Sequence, residues 1–126
     1  MAELAGSEIL AKCLKKEGIE DIFYIMGGPM LLAESTCITE GIRIIDVRHE
    51  QAAAFACQAY SRLRQPPSVC MAASGPGVTN VITGMANALI DCCPVVAFGG
   101  SSPISQFVEP DNERYAKAKK IIQRET

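Results

Sequence analysis

Four short apolar runs constrain this chain more than any other feature: 21–26 (DIFYIM), 42–47 (IRIIDV), 68–73 (SVCMAA) and 94–98 (PVVAF). Each is rich in strand-forming residues, and helix-length segments separate them. Helical patterns fall at 7–17, 30–40, 50–63 and 78–91. Parallel strands need such crossovers, and near-continuous apolar runs suit strands covered on both sides. The pattern predicts an α/β fold: a parallel sheet with helices on both faces.

The helical segments carry their own punctuation. In 7–17 the stripe Ile9, Leu10, Cys13 and Leu14 lies opposite the lysines, and Gly18 is a natural stop. Segment 30–40 is weakened by Thr36, Cys37 and Thr39. Segment 50–63 is Ala-rich and meets Gln65-Pro66-Pro67, where a helix cannot continue. Segment 78–91 holds Gly84, Ala86 and Ala88, small enough for close approach to a sheet. Beyond the fourth run, 107–126 is a charged tail. Tyr115, Ala118, Ile121 and Ile122 there give one amphipathic helix over 113–124.

Composition narrows the function. At 126 residues, 48% hydrophobic and 21% charged, the chain suits one globular domain. A net charge of −2 argues against a nucleic-acid partner. No apolar run is long enough to span a membrane. Met1-Ala2-Glu3-Leu4 lacks the features of a signal peptide, and the last three residues are no targeting address, so a cytoplasmic location is expected. Six cysteines at 13, 37, 57, 70, 92 and 93 contain no C-x-x-C, and the single histidine is His49. Zinc and a disulfide framework are therefore disfavoured, and the thiols read as buried, reduced, small hydrophobes.

In a parallel sheet, ligands bind outside the carboxyl ends of the strands. Here those ends carry Gly27-Gly28-Pro29, Arg48-His49-Glu50, Ser74-Gly75-Pro76-Gly77 and Gly99-Gly100-Ser101-Ser102. Three glycine turns and one carboxylate should gather on one edge. Glu50, between a strand end and an Ala-rich helix, should have its pKa raised by desolvation. His49 reads as a hydrogen-bonded structural residue.

The strings Arg48-His49-Glu50-Gln51-Ala52-Ala53, Ser74-Gly75-Pro76-Gly77-Val78-Thr79-Asn80 and Gly84-Met85-Ala86-Asn87-Ala88 resemble the N-terminal, pyrimidine-binding domain of thiamine diphosphate enzymes. The closest group is the acetolactate synthase-like branch, which includes 2-hydroxyacyl-CoA lyases and oxalyl-CoA decarboxylases. The resemblance runs in order from about residue 4 to 106. Residues 1–106 thus read as a pyrimidine-binding domain, truncated relative to the family.

The resemblance implies that Glu50 is the catalytic and cofactor-activating residue. It would hydrogen-bond N1′ of the aminopyrimidine and favour the imino tautomer, whose N4′ takes the thiazolium C2 proton. It also implies that Gly27, Gly28 and Pro29 form a loop lining the cofactor, with Pro76 and Asn80 on its pyrimidine side. The expected cofactors are thiamine diphosphate and Mg²⁺. The G-D-G motif that holds the metal and diphosphate is absent here, so the resemblance implies a domain outside this chain for them. The F-Q-E segment that normally follows has no counterpart after Phe107.

Gly100-Ser101-Ser102 and Pro29 lean towards the acyl-CoA branch. The expected activity is a carbon–carbon lyase acting on a small-molecule substrate of the 2-hydroxyacyl-CoA type. An acetolactate synthase-like carboligase is the alternative, as is a non-catalytic interaction module of the same fold. The chain would act within a longer or multi-chain protein. A homo-oligomer, dimer or tetramer, with active sites between chains is implied. Ala52, Ala53, Ala54 and Ala56 would allow close packing across that interface.

Overall fold

The computed structural model describes residues 4–102; the tail at 107–126 lies outside them. The elements run α1 (Gly6–Lys16), β1 (Asp21–Tyr24), a 3-10 turn (Gly28–Met30), α2 (Leu31–Thr39), β2 (Arg43–Asp46), α3 (Glu50–Arg64), β3 (Ser68–Ala72), α4 (Pro76–Ile90) and β4 (Val95–Gly99). All strand pairs are parallel, in the order β2-β1-β3-β4. The expected α/β architecture is present. The order of strands was not readable from periodicity.

Strand alternation sorts the core into two layers. Ile22, Tyr24, Val69 and Met71 pack with Ala11, Leu14, Met30, Ala33 and Cys37, from α1 and the turn with α2. Phe23, Cys70 and Ala72 point the other way, onto Ala53, Ala54, Cys57 and Val81 of α3 and α4. The central strands β1 and β3 are therefore buried at every position. The edge strands are not.

Local chemistry fixes the element ends. The Glu8 carboxylate accepts the Ala5 N–H at 2.7 Å, and Lys15 and Lys16 sit in the last turn of α1. His49 caps α3, its Nδ1 accepting the Gln51 N–H at 3.1 Å, as a structural histidine should. Helix α3 stops at Gln65, in the left-handed region at φ 69°. Before α4, Gly75 takes φ 67° and ψ −121°, which only glycine adopts without strain, and Pro76 follows where its missing N–H costs nothing.

Several expectations are corrected. The first strand ends at Tyr24, and Met26 is 65% exposed, because the chain turns out into the glycine loop. In α1 the buried positions are Ala11 and Leu14, whereas Cys13 is exposed and Ile9 is 49% exposed. The stripe facing α2 is narrower than apolar spacing suggested. Only Cys37, Cys57 and Cys70 are buried, while Cys92 is exposed and Cys93 half-buried. Burial pushes the Cys37 thiol up, and a hydrogen bond with Cys70 together with burial pushes Cys57 up. Cys37 and Cys57 therefore stay protonated and behave as hydrophobes, whereas the hydrogen bond with Cys57 lowers the Cys70 thiol.

Candidate functional site

Because β2 follows β1 on one side and β3 with β4 lies on the other, the chain reverses direction between β1 and β3. That switch point is where such sheets open a crevice. The loop after β1 and the loop after β3 flank it, with Glu50 beginning the helix that follows β2.

Three close approaches knit these loops. A Cβ on Gly27 would lie 2.3 Å from the Ala73 Cβ. A Cβ on Gly100 would lie 2.8 Å from the Pro29 Cβ and 3.2 Å from the Ser74 amide nitrogen. A Cβ on Gly77 would lie 3.3 Å from Glu50 Oε1 and 3.4 Å from the Ala73 Cβ. Real side chains do not fit at the first two positions, so glycine there sets loop spacing. The Gly100 N–H donates to the Ala72 carbonyl at 2.9 Å, holding the fourth loop against the third. The Gly27 N–H donates to the hydroxyl of Tyr24, a fully buried ring, at 3.2 Å.

The expected gathering on one edge is therefore present. Gly27 contacts Ala73, Pro29 meets Gly100, and Pro76 opens α4 one residue before Gly77, which lies beside Glu50. Gly28 stands free, with nothing within 4 Å of its would-be Cβ, and with Pro29 it is exposed.

Glu50 is half-buried. Asn80 Nδ2 donates to its Oε2 at 2.9 Å. The expected raised pKa is not found. The Asn80 hydrogen bond, then the residue's own backbone N–H, hold the carboxyl below its ordinary range, with His49 adding to them; desolvation opposes but is outweighed. A carboxylate at a helix start, open on one side, is not buried enough for desolvation to win. Among the described residues, Oε1 takes no hydrogen bond from another side chain. Sequence reasoning missed the Asn80 bond. Its signal was the matched place of both residues, each near the start of one of two neighbouring helices.

Two of the alanines expected at an interface act elsewhere, while Ala52 is exposed and Ala56 half-buried. Ala53 and Ala54 are fully buried inside the domain. Gly84 approaches helix α3 rather than the sheet: a Cβ there would lie 2.4 Å from the Ala54 Cβ and 3.2 Å from its carbonyl carbon. What α3 and α4 expose instead is large: Phe55 (39%), Ile82 (58%), Ile90 (79%), Leu89 (80%) and Leu63 (84%).

The opposite edge of the sheet holds a second polar cluster. Asp21 accepts from Arg43 Nε at 2.6 Å and from the Tyr60 hydroxyl at 2.8 Å. Arg64 bonds Glu20 at 2.9 Å and lies over the Tyr60 ring, 5.5 Å from its centre. A cleft of about 360 Å³ lined by Gly18, Asp21, Tyr60, Arg64 and Pro66 opens there. Every charged group lining it is already paired, so the cluster reads as a latch.

Comparison with known proteins gives the chain a family. The family described as "Thiamine pyrophosphate enzyme, N-terminal TPP binding domain" matches residues 4–123. The chain is 41% identical over 99 residues to acetolactate synthase 2, chloroplastic, of Nicotiana tabacum, covering 78% of this chain and 15% of that protein. It is 41% identical over 98 residues to a probable acetolactate synthase of Mycobacterium bovis, covering 78% and 18%. It is 38% identical over 104 residues to human 2-hydroxyacyl-CoA lyase 1, covering 82% and 18%. The chain thus spans under a fifth of the length of these relatives.

Proposed function

Since the chain belongs to the thiamine pyrophosphate enzymes, through their N-terminal TPP binding domain, we propose that it supplies the cofactor-activating half of a carbon–carbon lyase acting on 2-hydroxyacyl-CoA substrates. The observation that carries this reading is Glu50: a carboxylate at the sheet's switch point, with Oε2 held by Asn80 and Oε1 beside the bare Cα of Gly77.

The residues present fit an aminopyrimidine. A flat ring needs a proton-exchanging partner at one nitrogen and walls without bulky side chains. Glu50 offers the first, and Gly27, Gly28, Pro29 and Pro76 offer the second. When bound, thiamine diphosphate supplies an electron sink for breaking or making a bond beside a carbonyl. Glu50 would share one proton with ring atom N1′, giving it as the 4′-amino group loses one and taking it back on return; because the depressed pKa leaves the free carboxylate ionised, that proton would be taken up as the ring binds. Gly27, packed on Ala73, and Pro29, packed on Gly100, would line one side of the ring. Mg²⁺ and the diphosphate call for ligands that this sequence, with no G-D-G, does not carry; in this reading another segment or chain brings them.

The choice of substrate class rests on Pro29 and Gly100-Ser101-Ser102, of which Gly100 abuts Pro29. Identities of 41% and 38% to the two kinds of relative do not separate them. The exposed Phe55, Ile82, Leu89 and Ile90 favour association of copies through α3 and α4, giving a homo-oligomer. Three buried free thiols accord with a reducing, cytoplasmic compartment.

The test is the full protein with thiamine diphosphate and Mg²⁺, offered a 2-hydroxyacyl-CoA or pyruvate. Cleavage of the former to an aldehyde one carbon shorter is expected. Condensation of pyruvate with no cleavage overturns the substrate class and selects the carboligase. No turnover of either, with C2 exchange of the cofactor unaffected by Glu50→Gln, overturns the enzymatic reading.

A further inference from the structure

Helices α3 and α4 lie side by side in the same direction and meet along a seam with three rungs. Glu50 meets Asn80 at the first. Ala54 meets Gly84 at the second, where a Cβ on Gly84 would lie 2.4 Å from the Ala54 Cβ. At the third, the buried Gln58 amide accepts from Asn87 Nδ2 at 2.7 Å and donates to Asp91. The upper two rungs share one offset along both helices. The middle and lower rungs therefore set where the Asn80 amide arrives.

It arrives at one oxygen of Glu50 only. One N–H of the Asn80 amide donates to Oε2 at 2.9 Å. Oε1 lies over Gly77, where a Cβ would come within 3.3 Å of it. Resting on the reading of Glu50 above, we propose that Asn80 is a positioning residue: it pins Oε2 and directs Oε1 to the ring nitrogen. Asn80 then acts through Glu50 and is no part of the wall that touches the cofactor. Gly77 completes the device by leaving the space beside Oε1 empty.

A residue that only filled space would leave the titration of Glu50 alone, so that titration is the readout. The carboxyl infrared band of Glu50 is isolated in the full-length apoprotein by difference against Glu50→Gln and followed with pH. In Asn80→Ala its midpoint moves up, because the favoured anion loses a hydrogen bond. Asn80→Gln, which keeps an amide, restores it in part. Asn80→Ser, too short to reach, repeats the upward move and serves if the alanine variant does not accumulate folded. With cofactor, C2 exchange in Asn80→Ala slows about 10-fold, the size of a hydrogen bond to a charged group, and its acid limb moves up in pH.

An unmoved midpoint in folded Asn80→Ala or Asn80→Ser overturns the positioning role and leaves the reading of Glu50 standing. Unchanged C2 exchange in Glu50→Gln overturns the reading of Glu50, whereas the apoprotein titration still reports whether Asn80 holds the carboxylate.

Discussion

The two edges of the sheet each hold a carboxylate whose pKa is depressed, and they hold it differently. Asp21, at the amino edge, is buried; Arg43 takes one oxygen and Tyr60 the other. Glu50, at the carboxyl edge, takes one side-chain hydrogen bond, from Asn80 to Oε2, besides its own backbone N–H, and its Oε1 stands beside a glycine. A carboxylate paired on both sides is finished as structure. A carboxylate held on one side and left open on the other is positioned but still available. A lowered pKa alone does not tell these apart; the count of side-chain partners per oxygen does.

The largest expected effect breaks the open end. Glu50→Gln preserves volume and hydrogen bonding but cannot exchange a proton, so C2 exchange of the bound cofactor falls by about 10²–10⁴-fold while the fold is kept. A C2 proton-exchange measurement by NMR checks it. Equal exchange in both proteins would place Glu50 with Asp21 among the structural carboxylates.

Next is the seam that supports the open end. Gly84→Ala forces a Cβ to within 2.4 Å of the Ala54 Cβ and 3.2 Å of the α3 backbone. Overpacking of this kind costs roughly 2–3 kcal/mol, read by urea unfolding. Ala54→Gly in the same protein recovers part of it, because the nearest atom is then gone but the backbone remains. Full stability in Gly84→Ala alone would show that the helices separate freely.

A smaller effect belongs to the closed end. Asp21→Asn keeps the bond to Tyr60 but loses the charge opposite Arg43, costing about 1 kcal/mol at neutral pH. The sign with pH is fixed. The folded pKa is below the ordinary 3.8, with the Arg43 hydrogen bond the largest cause, so the stabilisation is complete above that value. It is lost as pH falls through the lower folded value. The gap in Tm between wild type and Asp21→Asn therefore closes in acid; a gap that widened would overturn the latch. The smallest effect is Arg48→Ala. Its pair with Asp46 leaves the two side chains 93% and 58% exposed, and Tm should not move within error.

The alternation of apolar runs with helical segments determined the parallel α/β class, because both periods are local properties of the chain. It also put the glycine loops and Glu50 on one edge, since strands that run parallel share their carboxyl ends. The caps at His49, Gly75 and Pro76 are equally local. Packing alone decided the rest. The order β2-β1-β3-β4, and with it the switch point, depends on which way each crossover turns, and no run of residues encodes that direction by itself. The same holds for Gly84, whose smallness was plain but whose neighbour was not: it serves Ala54 rather than the sheet. It holds most for Glu50. Its residue type and place were readable, but the direction of its pKa followed from an asparagine on another helix, and a hydrogen bond between helices exists only once a core has set their distance.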